Sequence, residues 1–388
     1  MAWPDVVRHP LLSLDGPECR MTAAVSALDL LRPVDFSVLP GWMSDHHAEA
    51  WAAFFAGCRR ALLAVPKTRS LRIDGLALGR IAEAAVEAGP DLSDTAARSF
   101  FERHFEPTAV ETSQNAFLTG YFEPEIDGSG SATDRFCVPL HRRPDDLVAI
   151  TDANRPATWD PALAFGRKTT TGILPYHDRA MIENGALAGR GLELAFVESP
   201  IDAYFIHVQG SARIRLPNGD VLRIAYDGKA GWPYTSLGRL LIERGEATAQ
   251  TMTGDRLRQW LERDPEQARA LMQENRSYIF FKELKNLVPS LGAVGAADVQ
   301  LTPGRSLAVD RTLHTFGTPI FINAALPWGR EARFTPFQRL MIAQDTGSAI
   351  VGPARGDIFV GSGLAAGRAA GLIRHVPDGF FVLRPREP

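Results

Sequence analysis

The chain has 388 residues, 45% of them apolar and 22% charged, and a net charge of -3 from 42 basic and 45 acidic residues. That length exceeds one ordinary hydrophobic core and fits two packed domains, one of which can interrupt the other. The near-neutral balance, without a contiguous Lys/Arg block, argues against a nucleic-acid partner.

The 34 Gly and 27 Pro are scattered and read as turn punctuation between short strands. Cys19, Cys58 and Cys137 are odd in number and contain no CxxC pair. This argues against a thiolate zinc site and against a disulfide framework. No apolar run reaches the roughly 18 residues of a membrane span. The opening MAWPDVVRHPLLSLDGPEC lacks a basic segment followed by a sustained apolar stretch. By composition it is neither a signal peptide nor a lipoprotein signal, so no membrane anchor is visible.

Residues 44 to 108 read as helical. SDHHAEAWAAFFAGCRRALLA offers Ser44 as N-cap and places Trp51, Phe54, Phe55 and Cys58 on one face. LGRIAEAAVEAG stops at Gly89-Pro90, and SDTAARSFFERHF starts at Ser93. From about residue 115 short apolar or alternating runs predict strands: FLTGYFEPEI, RFCVPLH, LELAFVE, AYFIHVQGSARIRL and VLRIAY. Pro217-Asn218-Gly219-Asp220 is a hairpin signal. TSLGRLLIERG, capped by Thr235 or Ser236 and closed by Gly245, is a helix within this region. The charged stretch Thr253 to Asn275 predicts one or two more. SYIFF, SLAVD, PIFINA, LMIAQD, IVG, GDIFVG and FFVLRP then predict a second set of strands.

Asp310, Asp345 and Asp357 each open or follow a strand, and carboxylates alone can hold a hard cation. The dense Asp/Asn/Gly alternation of a calcium loop is absent, and His46-His47 are adjacent and diverge on a helix, so no metal is expected. The ordinary role for Asp310 is a strand-end acid satisfied by backbone N–H groups. Ser211 lies in QGSA and not in a GxSxG elbow. GSGLAAG is glycine-rich, but no Gly-Lys-Ser/Thr follows it. No cofactor is implied.

The carboxylates remain. Glycosidic cleavage needs a group that protonates the leaving oxygen. Asp357, in ARGDIFVGSG, precedes an apolar strand and a glycine pair, and burial against Ile358 and Phe359 would disfavour its charged form. Asp345, in AQDTGSAIVG, has similar surroundings, and chemistry alone does not choose between the two.

These segments resemble the lytic murein transglycosylase A family. The likeness rests on SLAVDRTLHTFGTPIFI, MIAQDTGSAIVG and RGDIFVGSG for its three-aspartate region. FLTGYFEPEI, ESPIDAYFIHVQGSARI, PYTSLGRLLIERGE and ENRSYIFF carry it in the middle of the chain. It covers roughly residues 30 to 374. The resemblance implies a mainly β fold with N-terminal helices. In it a double-psi β-barrel domain (1–124 plus 288–388) is interrupted by an inserted β domain (125–287), with the glycan in a groove between them. It also implies a peptidoglycan substrate and an address in the periplasm or at the outer membrane. Asp357 matches the family's catalytic acid and Asp345 a supporting acid. Thr119 and Tyr121 of TGYFEP would lie near the substrate. The chain departs from the family pattern at Ala230 and Trp232, at Ala212-Arg213 and at Ser348.

Gln209 and Ser211 could bond acetamido or hydroxyl groups of a glycan, and Asp310 could contact it too; the ordinary alternative for the first pair is a strand-end polar network. Tyr121 and Phe122 could stack on sugars or fill a core. Glu198 and Asp202 are the only acids proposed for a second catalytic carboxylate, which a water-using glycosidase would need. That hydrolase, and a non-catalytic glycan-binding module, are the competing readings.

Overall fold

The computed structural model describes residues 30–110, 116–248, 251–328, 334–347 and 349–386. The opening segment MAWPDVVRHPLLSLDGPEC with Cys19, and Ser348, lie outside them. Two compact units emerge. One runs up to Phe122 and adds Val288–Gly361 and the chain from Ala365 on; the other is Glu123–Leu287 with Ser362–Leu364.

The first unit opens with the helices His47–Leu63, Gly75–Ala88 and Asp94–His104 and also takes in most of the helix Gly363–Gly371. Ser44 is not the cap of the first. Its hydroxyl donates to Gly41 O, and the helix starts at His47 with Asp94 Oδ1 accepting from Ala48 N at 2.8 Å. Ser93 caps the third, as its position predicts, while the second starts earlier than LGRIAEAAVEAG, at Gly75 with Asp74 as cap. Trp51, Phe54, Phe100, Phe101 and Phe105 pack edge to face in the core beside the sheet.

That sheet has nine strands in the order Leu31–Pro33, Phe105–Val110, Gly379–Pro385, Pro319–Pro327, Phe334–Asp345, Ser306–Val309, Arg355–Ser362, Phe117–Glu123, Arg374–His375. Ser306–Val309 is one of its central strands, parallel to Phe334–Asp345 and antiparallel to Arg355–Ser362. Arg305, buried at the head of this strand, forms a two-pronged pair with Asp45 at 2.9 Å and reaches Glu49. Asp45 also accepts from Leu340 N at 2.7 Å, so one carboxylate ties helix layer to sheet. Breaking a buried pair of this kind costs about 3–5 kcal/mol.

His314 is buried just after the strand Ser306–Val309 and donates from Nε2 to Pro353 O at 2.9 Å. Burial pushes its imidazolium down to about 4 from 6.5. The folded value lies below the unfolded one, so the neutral ring's contribution is complete above about pH 6.5 and is lost as pH falls toward 4. Between pH 7 and 4.5 the loss is about 2–3 kcal/mol. Urea denaturation of wild type and His314→Gln at the two pH values checks this. The wild type should lose that much more than the variant, and parallel losses would refute it.

The second unit has a six-stranded sheet, Ile279–Leu284, Val221–Lys229, Ser211–Arg215, Glu125–Ser129, Glu193–Val197, Val138–His141, and a three-stranded one over Leu147–Pro175. The Pro217–Asp220 turn does join two antiparallel strands. AYFIHVQ is not a strand but the helix Pro200–Gln209. Ser199 caps it, Pro200 opens it, and Gly210 at φ 75° ends it in the left-handed region. In the first unit the glycine-rich GSGLAAG closes the strand Arg355–Ser362 and enters the helix Gly363–Gly371, and IVG forms no strand. Arg179, fully buried in the second unit, is bonded to Asn275 O, Ser277 O and His207 Nδ1. Among the described residues no helix is long and apolar enough to cross a membrane.

Candidate active site

Asp357 and Asp345 stand on opposite sides of the same residue. Ala308 of the strand Ser306–Val309 is the partner of Asp357 on one side and of Asp345 on the other. Two strand spacings separate the aspartates, which puts their Cα atoms about 10 Å apart on one face. Asp357 is 1% exposed and Asp345 8%.

The strand Phe117–Glu123 supplies a hydroxyl for each. Residues two apart on a strand share a face, and Thr119 and Tyr121 are two apart. Thr119 Oγ1 donates to Asp357 Oδ1 at 2.6 Å, and Tyr121 Oη donates to Asp345 Oδ2 at 2.8 Å. The Tyr121 ring is fully buried against Phe359, 5.2 Å between centroids, and clusters with Leu301 and Ala308. The small Ala308 leaves room for the ring to cross the sheet. Gly120 allows a second close approach, since a Cβ there would stand 2.8 Å from the backbone of Ala370 in the last helix. Asp345 Oδ1 accepts from Ala296 N at 3.0 Å and Thr346 N at 2.9 Å.

Arg355 completes the set. It is buried two residues before Asp357, on the same face, and donates from Nη2 to Thr119 Oγ1 at 2.7 Å. It also donates to Phe117 O and to Gly356 O. A guanidinium only donates, so Thr119 must accept from Arg355 and direct its single proton at Asp357 Oδ1. Burial pushes the Arg355 guanidinium below its usual range, opposed by the attraction of Asp357. Arg374, paired in register with Thr119, is also lowered by burial. Sequence reasoning missed Arg355; the alternation in ARGD, which puts Arg and Asp on one strand face, was the available signal.

Asp310 is committed to its turn. Oδ1 accepts from Thr312 N and Oγ1 at 2.9 and 2.6 Å, and Oδ2 accepts from Gly352 N at 2.9 Å. Gln209 and Ser211 are buried in the second unit, at the end of a helix and the start of a strand. In that unit sequence reasoning also missed Glu123, a buried carboxylate that accepts from Arg213 at 2.7 Å, Arg223 at 2.8 Å and Ser362 at 2.8 Å. Glu198 pairs with Arg135 at 2.7 Å, and Asp202 with Arg258 at 2.6 Å. Among the described residues no His/Cys/Asp/Glu group is arranged to hold a metal ion.

Residues 117–282 match the MltA specific insert domain, and residues 305–382 the 3D domain. The membrane-bound lytic murein transglycosylase A of Vibrio cholerae is 33% identical over 270 residues, which take in 67% of this chain and 63% of that protein. The chain thus spans just under two thirds of that curated relative. The crystal structure of a membrane-bound lytic murein transglycosylase from Agrobacterium tumefaciens superposes with a TM-score of 0.84 at 42% identity, covering 92% of this chain and 98% of the other. Escherichia coli MltA with bound chitohexaose superposes with a TM-score of 0.61 at 27% identity, over 87% and 90% of the two chains. With both domain matches in order and near-complete overlap with a relative of this identity, the chain belongs to the lytic murein transglycosylase A family.

Proposed function

We propose that this protein is a peptidoglycan lytic transglycosylase that cleaves the β-1,4 bond between N-acetylmuramic acid and N-acetylglucosamine, with Asp357 as acid and then base. The observation that carries the reading is the Thr119–Asp357 hydrogen bond with Arg355 behind it. Because Oδ1 is held as an acceptor, the acid proton belongs on Oδ2. That proton passes to the glycosidic oxygen as its bond to C1 breaks. The carboxylate then takes the proton of the muramic acid O6 as O6 bonds to C1, closing a 1,6-anhydro ring. No water enters, so one carboxyl serves both steps, and the tethered O6 gains from a high effective molarity.

In this reading Asp345 supports the site and Thr119 and Tyr121 position the two acids, while Gln209 and Ser211 contact acetamido or hydroxyl groups of the glycan. Asp310, expected as a further glycan contact, acts through its turn. The helices and sheet of residues 1–124 and 288–388 form a double-psi β-barrel domain, and 125–287 is the insert. What supports this reading is the mixed parallel and antiparallel pairing about Ser306–Val309. The chitohexaose bound by the E. coli relative supports a glycan strand as the partner, and the relatives' membrane-bound names support a periplasmic place at the outer membrane. Digestion of purified peptidoglycan followed by mass analysis tests the reading. Anhydro ends, lighter by one water, are expected; reducing ends would mean a hydrolase, and intact strands a binding module.

A further inference from the structure

We infer that the connection between the first two helices, with the helix ends on either side of it, is a contact surface for a bilayer carrying anionic phospholipid headgroups. Three independent features meet there. The first is apolar exposure: Leu63 is 82% exposed, Leu76 62%, and Leu62 and Val65 about half. Exposed aliphatic residues are unremarkable singly, but a cluster marks an interaction site.

The second feature is that the cluster is held. Ser70 and Leu71 donate backbone N–H groups to Thr312 O and Leu313 O at 3.2 and 3.0 Å, and Arg69 N reaches Thr315 Oγ1 at 3.2 Å. Leu71 and Ile73 are buried. Gly75 N donates to Thr68 Oγ1 at 2.9 Å, and a Cβ on Gly75 would collide with Pro66 O. The connection is therefore folded back on the second helix, which sets its first residues, Gly75 and Leu76, beside Pro66–Thr68 at the end of the exposed run Leu62–Val65. An apolar cavity of about 180 Å³ opens there, lined in part by Ala61, Ala64, Pro66, Leu78 and Ala82.

The third feature is charge. Residues 59–80 hold six basic side chains and one acid in a chain whose net charge is -3. The acid, Asp74, is spent on capping Leu76 and Ala77, and Arg60 is paired with Asp298. Among the described residues no carboxylate pairs with Arg59, Lys67, Arg69, Arg72 or Arg80. These cations alternate with leucines, so no block of charge marks them in the sequence. Exposed aliphatic residues interspersed with Lys and Arg are the composition that enters the headgroup region of an anionic membrane. A protein partner would favour aromatic anchors, and residues 59–80 contain no Phe, Tyr or Trp.

Sedimentation of the full chain with phosphatidylcholine vesicles, and with vesicles that also carry phosphatidylglycerol, tests this. Binding is expected only with phosphatidylglycerol, and it should fall as salt is raised. It should drop at least about tenfold in Leu62→Glu/Leu63→Glu and in Arg59→Gln/Lys67→Gln/Arg69→Gln. Thermal melting and turnover of a soluble glycan should be unmoved. Should the double Glu variant melt early, Leu63→Ser at the most exposed position replaces it. Four results would each overturn the inference: no binding, equal binding to neutral vesicles, binding insensitive to the leucines, or self-association of the wild type that Leu63→Ser relieves.

Discussion

Asp357→Asn is expected to lower turnover of peptidoglycan by at least about a thousandfold, because the same carboxyl gives and takes the proton and general acid–base catalysis is worth up to about 10⁴-fold. The substitution is nearly isosteric. Thr119 can still donate to the amide oxygen, so the 2.6 Å hydrogen bond of the wild type has a counterpart in the variant. The acid form of Asp357 that the mechanism uses is neutral, as the amide is, so the variant removes no buried charge from beside Arg355. Stability should therefore stay within about 1 kcal/mol. Initial rates of anhydro-product release and a urea melt, measured on the same preparation, separate chemistry from folding. If the Asn variant keeps more than a few per cent of the rate, Asp357 is not the general acid. If it melts far below wild type, its loss of rate says nothing about proton transfer, and Thr119→Val becomes the informative change.

How far the site could be read from sequence differs by residue. The strands around Asp345 and Asp357 are legible because short apolar runs bounded by turn residues have few alternatives, although Asp357 lies inside its strand, Arg355–Ser362, and not before it. The meeting of the two aspartates across Ala308 is not legible, because register between strands far apart in the chain leaves no local mark. Thr119 and Tyr121 entered through a resemblance, and the division of labour between them comes only from coordinates: each holds one aspartate. The helix Pro200–Gln209 was misread as a strand. Its apolar run AYFIHV has no polar face to betray a helical period, because Tyr204, Phe205 and Ile206 are all buried. The decisive clue was its Ser-Pro start, which local propensity favours at a helix N-terminus. Ser44 failed as a cap for the opposite reason, since a remote carboxylate, Asp94, supplied the acceptor instead. Tertiary partners override local signals in just the places where the chain folds back on itself.

Arg355 and Asp345 should move the pH–rate profile in opposite directions. The activity limb that falls with rising pH reports loss of the proton from the acid. The attraction that raises the affinity of Arg355 for its proton acts equally on Asp357 and favours its charged form. Removing the cation in Arg355→Met should therefore carry the alkaline limb up by about one pH unit, while Arg355→Lys should restore much of its position. Asp345 is the anion beyond Ala308, and Asp345→Asn should carry the limb down. Its shift should be roughly half as large or less, since it stands about 10 Å away by strand spacing and not behind a shared hydroxyl. The other groups facing Asp357 do not confuse the test: Thr119 and Tyr121 are neutral near pH 7, and Arg374 keeps its charge in every variant. Should Asp345→Asn lower the rate with the limb unmoved, Asp345 acts by placing the sugar or by anchoring Tyr121, and Tyr121→Phe should then reproduce part of the loss. A purely structural Arg355 would lower the rate of Arg355→Met at every pH alike. That flat response, with the limb in its wild-type place, would remove the guanidinium from the account of how Asp357 holds its proton.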